Sequence, residues 1–576
     1  MCKILKTFFL IALIVVSSCE TFDLKQTEDP SGIPLDKIDP IYAFNYAQVE
    51  LPDFINSTNT FTQRVTRQMA MTGGINYNSA FTPELFDNNW SKAFLILNTI
   101  KGAEEKANKN NQFFILGANR IIRCYILMTL VDMYGNIPYT EALQGNLSLT
   151  PKYDSSELVY EGIYNELTQA INDLNKTNTG LEVLQEKDLY YGNPTTGKGD
   201  AIKWKRLAKT LKLKMLNNSR LAVNFGGINV VSEMTALFSE DDLINTIEDD
   251  FAFKYSSNLT NPNSRHPQYN NHYDSPSPSY IANYMLWTVT REKGTFSGMT
   301  YTPLLDPRRD FYFFNQKPNL AGMDAQSLPC SSAPSAPDHF NNPKYSSFYE
   351  PSIKAAYCTS NFTPTNKGTY LGRDHGDNSG IPQDRPFRTL VGIYPAGGAI
   401  GPNVEANETK GAKGAGIMPM VLSSYVRFIK AEAKLTLGLG NTNDIVLLED
   451  GIRHSITKST TLINPPLAGG NPPSVANVNN YVNYVLSFYA SATAEKKLEI
   501  IQKEYFIALW GNGIESYNNY RRTGYPSNFQ PTIEVFSGDF YNTALYPAVA
   551  ANNNTNVPAN IRTRKVFWDK ANLNLN

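Results

Sequence analysis

A mostly α fold, in which helical hairpins form a superhelical frame around a large irregular loop-rich insertion, is what this sequence predicts. Three observations carry that expectation. Apolar residues recur at three and four along eight long segments, and these segments fall into an N-terminal and a C-terminal group. The chain between the groups, residues 224–420, is dense in Gly, Pro, Asn and Tyr and keeps no sustained period. A chain of 576 residues with 41% hydrophobic content can also bury a large core, in one body or two.

The first eighteen residues stand apart from this frame. Lys3 and Lys6 precede an apolar run at 8–16, and Ser17 and Ser18 lead into Cys19. The pattern reads as a lipoprotein signal peptide over residues 1–18, since nine apolar residues fall short of the roughly 20 that a spanning helix needs. Cys19 is then the lipidated first residue of the mature chain; the alternative is an ordinary secretory signal with an incidental cysteine. Residues 19–40, rich in Asp, Glu, Pro and Thr, read as a flexible tether reaching up to roughly 70 Å at about 3.3 Å per residue. Glu20 and Asp23 beside the lipid site resemble signals for export to the cell surface, or are part of a solvated linker. No later segment reads as long and apolar enough to span a membrane, so the rest is expected to be a body held to a bilayer by its first residue.

The helical segments follow in order. The N-terminal group comprises 89–107, 113–134, 155–175 and 201–223; the C-terminal group comprises 421–437, 444–458, 479–490 and 494–510. Taken in pairs they make four hairpins of tetratricopeptide-like character, although no strict 34-residue repeat is present. Leu207, Leu211 and Met215 mark the apolar stripe of one helix, and Lys203, Lys205, Lys209, Lys212 and Lys214 beside it read as a solvated face. Cys124 sits in an apolar helix and reads as a buried thiol, while Cys330 and Cys358 lie where an oxidising envelope permits a disulfide.

Charge and motif content exclude several functions. The chain carries 52 Lys+Arg and 53 Asp+Glu; without Lys3 and Lys6 the mature chain has 50 against 53, a formal charge of −3. That balance argues against nucleic acid as a partner. No GxSxG elbow, HExxH helix or GxxxxGK[ST] loop occurs, and no cofactor or catalytic residue is assigned. His266 and His272 flank one loop, and His375 stands between Asp374 and Asp377. The oxygens of Asp374, Asp377, Asn378 and Asp384 would suit calcium, but their spacing departs from the EF-hand and hydrogen bonding in a Gly-rich loop explains them as well, so no metal site is assigned. The abundance of Tyr (33) and Phe (30), many among Asn, Pro and Gly, suits loops that recognise a polar ligand with flat apolar faces.

Two motifs have a direct physical reading. In LVDMYGNIPYTEAL (130–143), Gly135 can end a helix in a left-handed conformation and Pro138 prevents its resumption. In EYFIALWGNGIESYNNYRRTGYP (504–526), Gly511, Asn512 and Gly513 break a helix, and Glu504 and Glu515 are expected to pair with Arg521 or Arg522 in structural ion pairs rather than ligand contacts.

These two motifs, with LDPRRDFYF (305–313), GRDHGDNSGIPQD (372–384) and YVRFIKAEAKLTLG (425–438), together resemble the SusD/RagB family, and more closely its SusD-like nutrient-binding lipoproteins. The resemblance implies one SusD-like domain over residues 41–576, with helical pairs at about 89–223 and 421–510 and a ligand-binding insertion at about 224–420. It also implies a non-catalytic protein of the outer membrane, lipid-anchored and surface-exposed, that captures an oligosaccharide or a peptide. Its expected partner is a SusC-like TonB-dependent transporter. An envelope glycan hydrolase and a peptide-binding scaffold are the alternatives.

In this family the ligand site is built from an early loop and the central insertion. The loop at 71–81 (MTGGINYNSAF) then offers Asn76, Tyr77 and Asn78, and the insertion offers Tyr273, Tyr280, Tyr284 and Trp287. Tyr280, Tyr284 and Trp287 stand at i, i+4 and i+7, so one face of a short helix packed into the core is an equal reading of that trio.

Overall fold

The computed structural model describes residues 38–71, 81–315 apart from 181 and 277, 346, 347, 349, 372–377, 388–401, 411–462, 472–532, 538–571 and 573. Its first helix, α1 (Pro40–Val65), is absent from the eight expected segments. Asp39 caps it by accepting from the Ile41 N–H at 2.9 Å, and Pro40 stands in the first turn, where its missing N–H needs no replacement. Phe44, Ala47, Leu51, Phe54, Ile55 and Thr58 recur at three and four on its buried side, but Pro52 interrupts the pattern. Pro52 cannot donate to the Gln48 carbonyl four residues back; the Tyr190 hydroxyl does so at 3.0 Å. The end of the expected tether therefore belongs to the fold, and Ile38 packs with Ala43 and Ala103.

Next come α2 (Asp87–Lys109), α3 (Phe113–Tyr134), α4 (Ser156–Asn175) and α5 (Ala201–Ser219), as the apolar spacing predicts. Ser155 caps α4 and Asp200 caps α5, each accepting from N–H groups of the first turn. Gly117 allows α3 to approach α4 closely, because a Cβ there would lie 2.6 Å from Leu174 Cγ and 3.0 Å from the Ala170 carbonyl. Gly135 ends α3 at φ +81°, its N–H reaching the Val131 carbonyl at 2.8 Å. One expectation is corrected here: α3, 22 residues long with an 18-residue stretch of mean hydropathy 1.5, is long and apolar enough to cross a membrane. That stretch is 89% buried instead, among α1, α2, α4 and α5, which makes α3 the core helix of the frame.

The frame extends through α6 (Val230–Glu240), which packs on α5. Beyond it the chain is more regular than its composition predicts. Strand Phe251–Lys254 pairs antiparallel with Ile417–Val421, so the two ends of the insertion leave the frame side by side. Between them lie α7 (Asn283–Thr290), a hairpin of Gly294–Ser297 with Thr300–Pro303, and the pair Phe313–Asn315 with Thr389–Val391.

The C-terminal group comprises α8 (Ser423–Leu437), α9 (Asp444–Thr460), α10 (Val475–Ser491) and α11 (Ala494–Ala508), followed by α12 (Gly513–Thr523). Asn512 caps α12, which then packs against α1, α3 and α5, and one hydrophobic core runs through both helical groups. Charges inside that core depart from expectation. Lys214 is 4% exposed rather than solvated, with Nζ 2.6 Å from Glu515. Arg522 pairs with Glu432 at 2.6 Å, while Glu504 takes Lys293 and Arg308, and Arg521 donates to the carbonyls of Asp132 and Asn542. These arginines are structural, but their partners come from helices remote in sequence.

Candidate functional site

The last turns of α1 carry Asn56, Asn59, Thr60, Gln63 and Arg64 at spacings of three and four, which sets them along one face of the helix. Opposite stands a segment of the insertion in which the single turn Pro267–Tyr269 runs into a π-helical turn, Asn270–Asp274. The widening is visible in the Ser275 N–H, which reaches the Asn270 carbonyl five residues back at 3.2 Å. Together with Met69, Pro267 and Ser279, these two faces enclose a cavity of about 220 Å³ that Gln268, Asn271 and His272 also line. Met69 leads directly into the early loop. Residues 72–80, with Asn76, Tyr77 and Asn78, lie outside the described residues.

The polar groups of this cavity have a readable direction. The Leu509 carbonyl can only accept, so Gln68 turns its NH₂ to it at 3.0 Å. Gln68 Oε1 then accepts from Gln63 at 3.2 Å, and Gln63 Oε1 accepts from Gln268 at 2.8 Å. At the end of this relay Gln268 Oε1 is buried with no donor among the described residues. His272, 1% exposed, has no partner among the described residues for either ring nitrogen, and burial, with Arg388 nearby, depresses its pKa to about 3. It is therefore a neutral imidazole, one donor and one acceptor, at neutral pH. Among the described residues no hydrogen bond engages the Asn56 carboxamide, the Asn271 NH₂ or the Arg64 guanidinium, whereas Asn59 is spent on the turn before α12, donating to the Gly511 carbonyl at 3.0 Å and accepting from the Gly513 N–H at 2.9 Å.

A larger cleft of about 450 Å³ lies under the turn at 138–144, between α2, α3 and α4. Its charges are already matched to one another. Arg123 binds Glu166 and Glu104, Lys101 and Arg120 bind Glu104, and the Tyr139 hydroxyl donates to Glu166 at 2.9 Å. Burial opposes ionisation of Glu104, yet Arg123 and Arg120 hold its pKa down to about 2. A satisfied network offers less to a polar ligand than unpartnered groups do, so the smaller cavity is the stronger candidate.

The aromatic residues expected from the insertion are placed differently. Tyr273, Tyr280, Tyr284 and Trp287 are all buried, none more than 5% exposed. The Tyr273 hydroxyl donates to the Val391 carbonyl and accepts from the Ala399 N–H, both at 2.8 Å, and its ring stacks on Tyr269. The guanidinium of Arg388 lies 3.9 Å from the centre of the Tyr280 ring. The Tyr284 hydroxyl accepts from Lys503 at 2.7 Å and donates to Asn528 at 2.8 Å, with Trp287 packed beside it. Helical spacing on α7 marks a core face here, and these rings are not an exposed platform. Asn56, Gln63, Arg64 and Gln268 were the residues missed. Amides at 56, 59 and 63 form a stripe that becomes visible only once α1 is recognised as a helix.

The other singled-out groups are occupied or lie elsewhere. Asp374 accepts from Asn283 at 3.1 Å and Gln530 at 2.7 Å, and Asp377 pairs with Arg373 at 2.9 Å. No group of three His, Cys, Asp or Glu side chains comes together among the described residues. Asn378 and Asp384, like Cys19, Cys330 and Cys358, are outside those residues, and Cys124 is a buried free thiol.

A sequence profile of SusD-like proteins, described as starch-binding and associating with the outer membrane, matches residues 34–541. Among solved structures the chain is similar to a chitin-binding protein (TM-score 0.65, 19% identity, 92% of this chain and 100% of the other). It is similar also to a SusD homologue from Bacteroides fragilis (TM-score 0.63, 19% identity, 91% and 99%) and to a chitin-binding SusD homologue from Flavobacterium johnsoniae (TM-score 0.62, 18% identity, 93% and 98%). No curated protein matches the sequence. At these identities the structural likeness establishes the fold.

Proposed function

This chain belongs to the SusD-like family, and from that membership and the cavity between α1 and the insertion we propose that it captures an oligosaccharide at the cell surface. Cys19 carries the lipid that anchors it to the outer membrane, and a SusC-like TonB-dependent transporter receives the cargo. The observation that carries the binding reading is the end of the amide relay. Gln268 Oε1 is a buried acceptor with no donor, beside open carboxamide donors on Asn56 and Asn271, and a sugar hydroxyl supplies the missing hydrogen while accepting from the amides. Chitin binding by proteins of the same fold agrees with this reading.

Isothermal calorimetry against a glycan panel tests the assignment. Gln268→Leu and Asn271→Ala should each weaken binding of the glycan that the wild type takes by about 1–2 kcal/mol, with circular dichroism unchanged. Unaltered affinity in both folded variants would place the site elsewhere.

A further inference from the structure

Arg64 is the one charged side chain lining the cavity among the described residues, and no described residue neutralises it. Among the described residues no carboxylate pairs with it; burial lowers its pKa from the usual arginine value, and no described acidic neighbour raises it. The acids on the two elements that face each other across the cavity are engaged elsewhere, Glu50 and Asp53 of α1 with Lys92, and Asp274 of the π-helical turn with Arg265. Residues 72–80 contain no acid.

A basic residue in the last turn of a helix often serves the terminal carbonyls. Here those carbonyls are already taken. Thr62 accepts from the Thr66 N–H, Gln63 from the N–H groups of Gln68 and Met69, Arg64 from the Arg67 N–H, and Val65 from the Arg67 guanidinium. Arg64 is thus a mostly buried guanidinium, permanently charged, facing a space whose other described polar groups are amides, two hydroxyls and a neutral imidazole. A buried cation without a counter-charge is costly, and a ligand that brings the charge removes that cost.

We infer that the cavity selects glycans bearing an anionic substituent, with Arg64 pairing to a sugar carboxylate, whose planar geometry matches the guanidinium fork. The inference rests on the glycan-capture reading and narrows its substrate class. His272, also in the lining, is a neutral imidazole at neutral pH and brings no competing charge to that carboxylate.

The test compares uronic-acid trisaccharides of several backbones with their carboxyl-reduced, neutral counterparts by calorimetry, on the wild-type protein, Arg64→Gln and Arg64→Lys. At least one acidic sugar is expected to bind about tenfold or more tightly than its neutral counterpart, with the preference lost in Arg64→Gln and largely kept in Arg64→Lys. Thermal melting confirms that both variants are folded. Equal or tighter binding of the neutral sugars overturns this inference and leaves glycan capture standing, as does an acid preference that survives in Arg64→Gln. Binding of neither series, with no other glycan bound, overturns capture and the inference with it.

Discussion

Glu432→Gln is expected to destabilise the protein by about 3–5 kcal/mol at neutral pH, the range for leaving buried charges without their partner. The Glu432 carboxylate is fully buried and accepts from Arg522 at 2.6 Å, from Arg220 at 2.6 Å and from Gln502 at 2.8 Å. It ties α8 to α12, α11 and the end of α5. Burial alone would raise its pKa, but Arg522 and Arg220 outweigh burial and hold it at about 2, against an ordinary 4.5. At 1.36 kcal/mol per pH unit the ionised form contributes about 3 kcal/mol. Because the folded pKa is depressed, that contribution is complete above about pH 4.5 and is lost as pH falls toward about 2. Urea denaturation followed by tryptophan fluorescence reads the effect. The gap between wild type and variant should be about 2 kcal/mol smaller at pH 3 than at pH 7. A variant within 1 kcal/mol of wild type at pH 7, or a gap that does not change with pH, would refute the reasoning.

The remaining expectations concern packing, anchoring and partnership. Gly117→Ala places a methyl 2.6 Å from Leu174 Cγ and 3.0 Å from the Ala170 carbonyl, so it should cost about 1–3 kcal/mol of stability by thermal denaturation, with no change if α4 simply yields. Radiolabelled palmitate should enter the wild type and not Cys19→Ala, and equal labelling of both would refute lipidation at that residue. Affinity purification from detergent-solubilised membranes should recover a TonB-dependent barrel with this protein; repeated isolation of the lipoprotein alone would count against the partnership.

Much of the frame was legible because helical periodicity is a local property. A stripe such as Leu207, Leu211 and Met215 needs only its own turn geometry, and a cap such as Asp200 acts on N–H groups two and three residues away. Where a local signal was broken, the reading failed. Pro52 hid α1, since the compensating Tyr190 hydroxyl is 138 residues further along the chain and meets the Gln48 carbonyl only after folding.

The sequence by itself determined the helical character of the chain and the motifs of the family. Only the tertiary structure decided which polar residues are spent and which are free. Tyr284 and Trp287 carry the composition of a binding surface, yet α7 turns them onto Lys503 and the core. Gln268, Asn271 and Arg64 are unremarkable in sequence, but α1 and the π-helical turn bring them together around one cavity. Whether a buried amide oxygen finds a donor, or a guanidinium an acid, depends on side chains that are distant in the chain and adjacent in space, and no local pattern encodes that pairing.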